Sequence, residues 1–382
     1  MTLKLARRGR IAPFIVMDVL REANERAAGG ADIIHLEIGQ PSTPAPAPVL
    51  EAARRTLAVD RLGYTDTLGL PQLRAAIALH YQKSYGVSVD PARIVVTTGS
   101  SGGFVLAFLA AFEPGDRVAL AAPSYPAYRN ILTALDLVPV ELPTGPEERF
   151  QPTSDLLKRH AKGIAGLIVA SPANPTGTML APEELATLAQ YCAATGIRLV
   201  SDEIYHGICY GRTAATALAS NADAIVLNSF SKYFSMTGWR IGWMVVPPDM
   251  LRSIECLAQN LFIAPPSLPQ HAALAAFDCD TELAANVARY AANRALLLEE
   301  LPKAGLGRIA PPDGAFYLYL DVSHLTRDSR EFCARMLREI GVAATPGVDF
   351  DPARGLGTLR LCFAGASEAV AEAARRITAW RL

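Results

Sequence analysis

No two cysteines in this chain form a recognisable pair. The six, Cys192, Cys209, Cys256, Cys279, Cys333 and Cys362, stand singly, with no Cys-x-x-Cys and no zinc-ligand spacing. That excludes a disulfide framework or a zinc module read from spacing, and fits reduced, buried thiols in a cytoplasmic protein. The six histidines are dispersed, with no His-Glu-x-x-His, so no metal site is expected. Charge of one sign is missing too. The net charge is -1, so neither nucleic acid nor a membrane surface is expected as the main partner. No apolar run is long enough to span a bilayer. Arg7-Arg8-Gly9-Arg10 before Ile11 to Met17 has the outline of an export signal. However, Pro13 breaks it, Asp18, Arg21 and Glu22 follow at once, and no small-residue cleavage site stands out. Internal repeats and low-complexity segments are absent, as are Gly-x-Gly-x-x-Gly and the Gly-Lys-Ser/Thr of a Walker loop.

What is present is an ordinary globular composition. The chain has 382 residues, 51% hydrophobic and 19% charged, enough apolar surface for two or three domains. Ile11 to Ala27 reads as an amphipathic helix ending at Gly29-Gly30, and Ile33 to Leu36 as a short strand. The proline-rich run from Gln40 to Pro48 reads as a connector and hinge. Short β-branched runs then alternate with helical ones. The strand candidates are 94–96, 117–120, 138–140, 167–169, 197–200, 224–227 and 241–246. Helical candidates are 71–85, 102–112, 182–194 and 248–260. Such alternation implies an α/β fold with a mostly parallel seven-stranded sheet flanked by helices. After Pro265-Pro266 the pattern changes. Helices 281–301, 330–339 and 367–380 with strands 316–320 and 359–363 read as a smaller α/β domain. We expect residues 1–45 to join this small domain, 46–275 to form the large cofactor-binding domain, and 276–382 to form the small one.

The chemistry concentrates at strand ends. In parallel α/β sheets, ligands bind beyond the carboxyl ends of the strands. Leu167-Ile168-Val169 leads into Asn174-Pro175-Thr176-Gly177, Leu199-Val200 into Asp202-Glu203-Ile204-Tyr205, and Ile225-Val226-Leu227 into Ser229-Phe230-Ser231-Lys232. If these strands are parallel, Asn174, Asp202 and Lys232 share one edge. A lysine amine forms a Schiff base with an aldehyde, and Ser229 and Arg240 beside Lys232 can hold a phosphate. A Schiff-base lysine flanked by phosphate ligands points to pyridoxal 5'-phosphate, an electron sink for carbanion chemistry. Gly99-Ser100-Ser101-Gly102-Gly103 reads as a loop before a helix, a second anion cradle.

Taken in order, Asn174-Pro175-Thr176-Gly177, Asp202-Glu203-Ile204-Tyr205 and Ser229-x-x-Lys232 through Thr237-Gly238-Trp239-Arg240 resemble the class I/II aminotransferases, the fold-type I pyridoxal-phosphate enzymes. The likeness covers nearly the whole chain and is nearest to aspartate-aminotransferase-like proteins. It implies that Lys232 binds the cofactor and shuttles a proton, and that Asp202 pairs with the ring nitrogen. Asn174 and Tyr205 would bond the ring hydroxyl, and Tyr125 would stack on the ring. Ser100, Ser101, Gly102, Ser229 and Arg240 would hold the phosphate, joined by Tyr64 across a homodimer interface. Arg360, with Gly39 and Asn174, would bind the substrate carboxylate. Gln40-Pro41-Ser42-Thr43 replaces the acidic-aromatic turn frequent in the family, and Gly102-Gly103 replaces a larger residue and alanine.

Plainer readings stand beside these. Lys232 could be a solvated charge, Asp202 a helix cap, Asn174-Pro175 a turn, Tyr125 and Tyr205 core aromatics, and Gly39 a turn glycine. His206 reads as a packed histidine. The implied function is a ping-pong aminotransferase acting on amino acids and 2-oxo acids, donor undecided. The alternatives are a related lyase or acyltransferase, or a non-catalytic regulatory module; the last is disfavoured because the first helix begins near residue 11.

Overall fold

The computed structural model describes residues 3–160 and 162–381. Seven strands form its main sheet: β1 (Ile94–Thr97), β2 (Arg117–Ala122), β3 (Val138–Pro143), β4 (Gly166–Ala170), β5 (Arg198–Asp202), β6 (Ile225–Ser229) and β7 (Gly242–Val245). Their order across the sheet is β1-β7-β6-β5-β4-β2-β3. The pairs from β6 to β3 are all parallel, while β7 runs against both β6 and β1.

The central strands are apolar on both faces, as a sheet covered on two sides requires. In β4, Leu167 and Val169 enter one core with Leu199 and Val226. Ile168 points the other way, into a core with Val200 and Leu227. Helices Pro71–Tyr85 and Pro182–Thr195 cover the first face, and Gly99–Ala111, Pro126–Ala134 and Leu251–Leu261 cover the second. A further core surrounds the antiparallel strands β8 (Tyr317–Asp321) and β9 (Thr358–Cys362). Ile34–His35 pairs in parallel with Val342–Ala343, and Ile34 and Leu36 enter this same core. The helix Asp280–Glu300 gives Leu283 to the first core and Tyr290 and Leu297 to the last.

Each of the seven expected strands is a strand of the sheet, and the mostly parallel arrangement holds. Three local expectations are corrected. The first helix begins at Ile15, not Ile11, because Pro13 and the extended Phe14 delay it. Gly99-Ser100-Ser101 forms the first turn of a helix, not a loop before one. The proline-rich run does not stay irregular to Pro48: the helix Ala47–Val59 starts inside it, with Pro48 in the first turn, where its missing N–H costs no hydrogen bond.

Candidate active site

The carboxyl ends of β4, β5 and β6 are neighbours. Ala170 lies opposite Asp202, and Asp202 opposite Leu227. The segments that leave these strands carry Asn174, Asp202 and Lys232 to one cavity. It is also lined by Gly39, Ser100, Ser101, Tyr125, Tyr205, Arg240 and Arg360.

Asp202 is buried at the end of β5. Its carboxylate accepts hydrogen bonds from the Tyr128 hydroxyl and, at 3.1 Å, from the Ile204 N–H. Burial pushes its pKa up to about 6, against the pull of those two donors. A cation placed before it would restore the charged form. Lys232 is half-buried, and its Nζ donates to the Gly39 carbonyl at 2.6 Å. Burial, reinforced by the Arg360 and Arg240 charges, lowers its pKa to about 8. Its amine is therefore far closer to neutral at physiological pH than an ordinary lysine.

Arg360 crosses the floor of the cavity from β9 and is almost wholly buried. Nη1 donates to Asn174 Oδ1 at 2.8 Å, and Nη2 donates to the Glu37 carbonyl. The guanidinium lies 4.4 Å from the Tyr317 ring centre and 4.8 Å from that of Phe350. Among the described residues no carboxylate pairs with it, and its Nε has no hydrogen-bond partner. A buried, unpaired guanidinium is costly unless an anion joins it. Tyr317 also bonds Tyr205, hydroxyl to hydroxyl, at 2.7 Å. A Cβ on Gly39 would come within 1.9 Å of the Tyr317 Oη, so only glycine fits there.

At the other end, the helix Gly99–Ala111 presents its first turn to the cavity through Ser100 and Ser101. The free N–H groups of a helix start form an anion site. Arg240, in left-handed backbone at φ 54°, packs against Gly99, where a Cβ would lie 2.5 Å from Nη2. Among the described residues it too has no carboxylate partner, and Nη1 donates to the Thr237 carbonyl at 3.0 Å. Two expected phosphate ligands lie apart. Gly102 is buried in the helix beneath Thr98 and does not line the cavity. The Ser229 hydroxyl is turned inward, 3.0 Å from the Ile241 carbonyl and 2.8 Å from Ser231 Oγ; Ser231 lines the cavity in its stead. Tyr125 stands at the cavity wall, edge-on to Phe14 and Tyr128. Tyr64 is 84% exposed and outside the cavity.

Comparison with known proteins agrees with this geometry. The family model for aminotransferase class I and II matches residues 31–377. The chain belongs to this aminotransferase family. The valine–pyruvate aminotransferase of Mycobacterium tuberculosis is 51% identical over 384 residues, covering 100% of this chain and 99% of the relative. The aspartate/prephenate aminotransferase of Thermus thermophilus is 34% identical over 370 residues, covering 95% of each. A crystal structure of an aminotransferase from Mycobacterium tuberculosis superposes with a TM-score of 0.98 at 51% identity over 99% of each chain. The protein is thus an aminotransferase of fold type I.

Several residues of the aminotransferase cavity were not singled out from the sequence. Tyr128 and Tyr317 are two. Their signals were faint: Tyr128 follows Tyr125 by three residues, one helical turn, and Tyr317 sits in an aromatic strand. Phe14, Val16, Met17, Ile38 and Ile204 form an apolar wall. Nothing in the local sequence of the first helix marks it as a cavity wall. Among the described residues, no helix is long and apolar enough to cross a membrane.

Proposed function

We propose that this aminotransferase moves the amino group of apolar L-amino acids to a 2-oxo acid with pyridoxal 5'-phosphate. The residues present fit that cofactor on one observation above all. An anion cradle (Ser100, Ser101, Arg240), an amine (Lys232) and a buried carboxylate (Asp202) line one cavity. Arg240 and the helix start would hold the phosphate, Asp202 the protonated ring nitrogen, and Tyr125 the ring face. When bound, the cofactor supplies an electron sink for the carbanion at the substrate Cα.

The chain's own residues account for the rest. Arg360, steered by Asn174 and the Glu37 carbonyl, offers its remaining donors to the α-carboxylate. Lys232 Nζ, in its neutral form, takes the Cα proton and returns it on the other side of the reaction. The apolar wall of Phe14, Val16, Met17, Ile38 and Ile204 excludes water and receives the substrate side chain. No lysine or arginine of this chain other than Lys232, Arg240 and Arg360 lines the described cavity, so none of its own spare cations is placed to pair with a side-chain carboxylate. The 51% identical relative, named for valine and pyruvate, supports the same preference. Tyr64 would reach the phosphate of a second copy in a homodimer.

Initial rates with varied valine and pyruvate test this reading. Parallel double-reciprocal lines are expected, because the two half-reactions never share one complex. With pyruvate fixed, kcat/KM for valine should exceed that for aspartate by about tenfold or more, the worth of about 1.4 kcal/mol. Intersecting lines, or a preference for aspartate, contradict it.

A further inference from the structure

His206 is buried beside Tyr205 and takes no part in the chemistry described above. Its surroundings fix its chemical form. Nε2 lies 3.0 Å from the Ser171 carbonyl, which can only accept, so Nε2 carries a proton. Nδ1 lies 2.8 Å from the Tyr85 hydroxyl. On a neutral ring Nδ1 accepts, and Tyr85 donates. The other titratable groups nearby do not favour a second proton. Glu203 Oε2 is 3.6 Å from Nδ1, but it is buried without a hydrogen-bond partner. Burial lifts the Glu203 carboxyl to about 8, which disfavours its charged form and so weakens its pull on a second His206 proton. His80, on the same helix as Tyr85, is itself held near 4 by burial. Burial also holds His206 near 4.

The position of this bond gives it a function. The parallel register of β4 and β5 ends at Ala170 and Asp202. Beyond it the two segments separate, one carrying Asn174, the other Tyr205. Among the described residues, the His206–Ser171 bond is the hydrogen bond that joins them past the sheet. Ser171 is itself fixed, since its Oγ accepts the Leu180 N–H at 3.0 Å. Glu203 secures the other side: its Oε1 accepts from Ser201, Thr216 and the Ala217 N–H at 2.9–3.1 Å.

Resting on the cofactor reading above, we propose that His206 is a positioning residue. Its neutral Nε2–H ring, propped by Tyr85, clamps the segment carrying Asn174 to the one carrying Asp202 and Tyr205. It sets the spacing of the groups that would meet the cofactor ring and, through Asn174, orients Arg360.

Two measurements on the full-length, cofactor-loaded protein test the clamp. Imidazole 15N NMR should show His206 with a single proton, on Nε2, unchanged between about pH 6 and 9. A proton on Nδ1, or on both nitrogens, overturns the proposal without any variant. The second measurement compares His206→Phe, which removes both bonds, with His206→Gln, whose amide N–H can still reach the Ser171 carbonyl. The phenylalanine variant should bind pyridoxal phosphate about tenfold more weakly and shift the pH midpoint of its visible band, the scale expected for a lost buried hydrogen bond. The glutamine variant should recover most of both. Equal effects in the two variants, or a lowered Tm with wild-type affinity and pH midpoint, overturn it. Neither signature depends on which amino acid is the donor, so failure of the substrate assignment leaves this test intact.

Discussion

Tyr317 touches three of the site residues singled out from the sequence, Arg360, Tyr205 and Gly39. Its ring lies against Arg360, its hydroxyl bonds Tyr205, and its Oη fills the space a side chain at position 39 would need. Tyr317→Phe removes only the hydroxyl. It should lower kcat/KM by a few-fold to about tenfold, in line with one net hydrogen bond of about 0.5–1.5 kcal/mol, while Tm hardly moves. Unchanged kinetics would remove Tyr317 from the account. Gly39→Ala forces a clash with the same ring and should cost about 1–3 kcal/mol of stability, seen as a lower Tm. Lys232 yields a prediction of the same sign as an ordinary lysine's, with its midpoint moved down to about pH 8. Its neutral amine prevails above about pH 8 and is lost as pH falls below. Stopped-flow binding of pyridoxal phosphate to the apoenzyme should therefore accelerate with pH and level off just above 8. A rise continuing towards 10.5, the ordinary lysine value, contradicts the assigned environment. At this scale the sequence was legible where a residue type is rare in its setting: a lysine among serines and aromatics, an arginine between leucines. It was not legible for Tyr317, since a tyrosine in an aromatic strand reads as core.

The strand ends were legible because local pattern decides them. Short apolar runs in β4, β5 and β6 each stop at a polar motif, and parallel pairing carries the three stops to one edge. Helix starts were less so, and for the first helix a distant residue adds to the local effect of Pro13 and Phe14. The first helix begins where the Asp349 carboxylate accepts the N–H groups of Ile15 and Val16, both at 3.1 Å, from more than 330 residues away in the chain. A carboxylate at a helix start satisfies donors that have no partner within the helix. Phe14, Val16 and Met17 belong to the cavity wall, so this cap also holds the wall. Asp349→Ala should lower stability by about 0.5–2 kcal/mol, the usual worth of such a cap, and raise KM for valine more than it lowers kcat. A lowered Tm with KM unchanged would show that the cap serves the helix alone.

At the scale of the molecule, both the sheet and the antiparallel unit behind Arg360 were legible from alternating patterns, since each buries a continuous apolar core. The outer surface was not. Val59 is 86% exposed and Tyr64 84%, with Leu57 and Ile263 also open. Thr67 Oγ1 donates to the Ile263 carbonyl at 2.9 Å, which ties the two exposed segments into one face. Exposed apolar residues on one face are what the proposed homodimer would cover. Sedimentation should give twice the chain's mass at all concentrations down to the micromolar, and a stable monomer would count against the homodimer. The whole account rests on the amine of Lys232, and chemical trapping tests it most directly. Borohydride reduction of the cofactor-loaded protein, followed by peptide mass mapping, should place the pyridoxyl label on the Lys232 peptide and on no other lysine. A label elsewhere, or a saturated sample that takes up none, would contradict it.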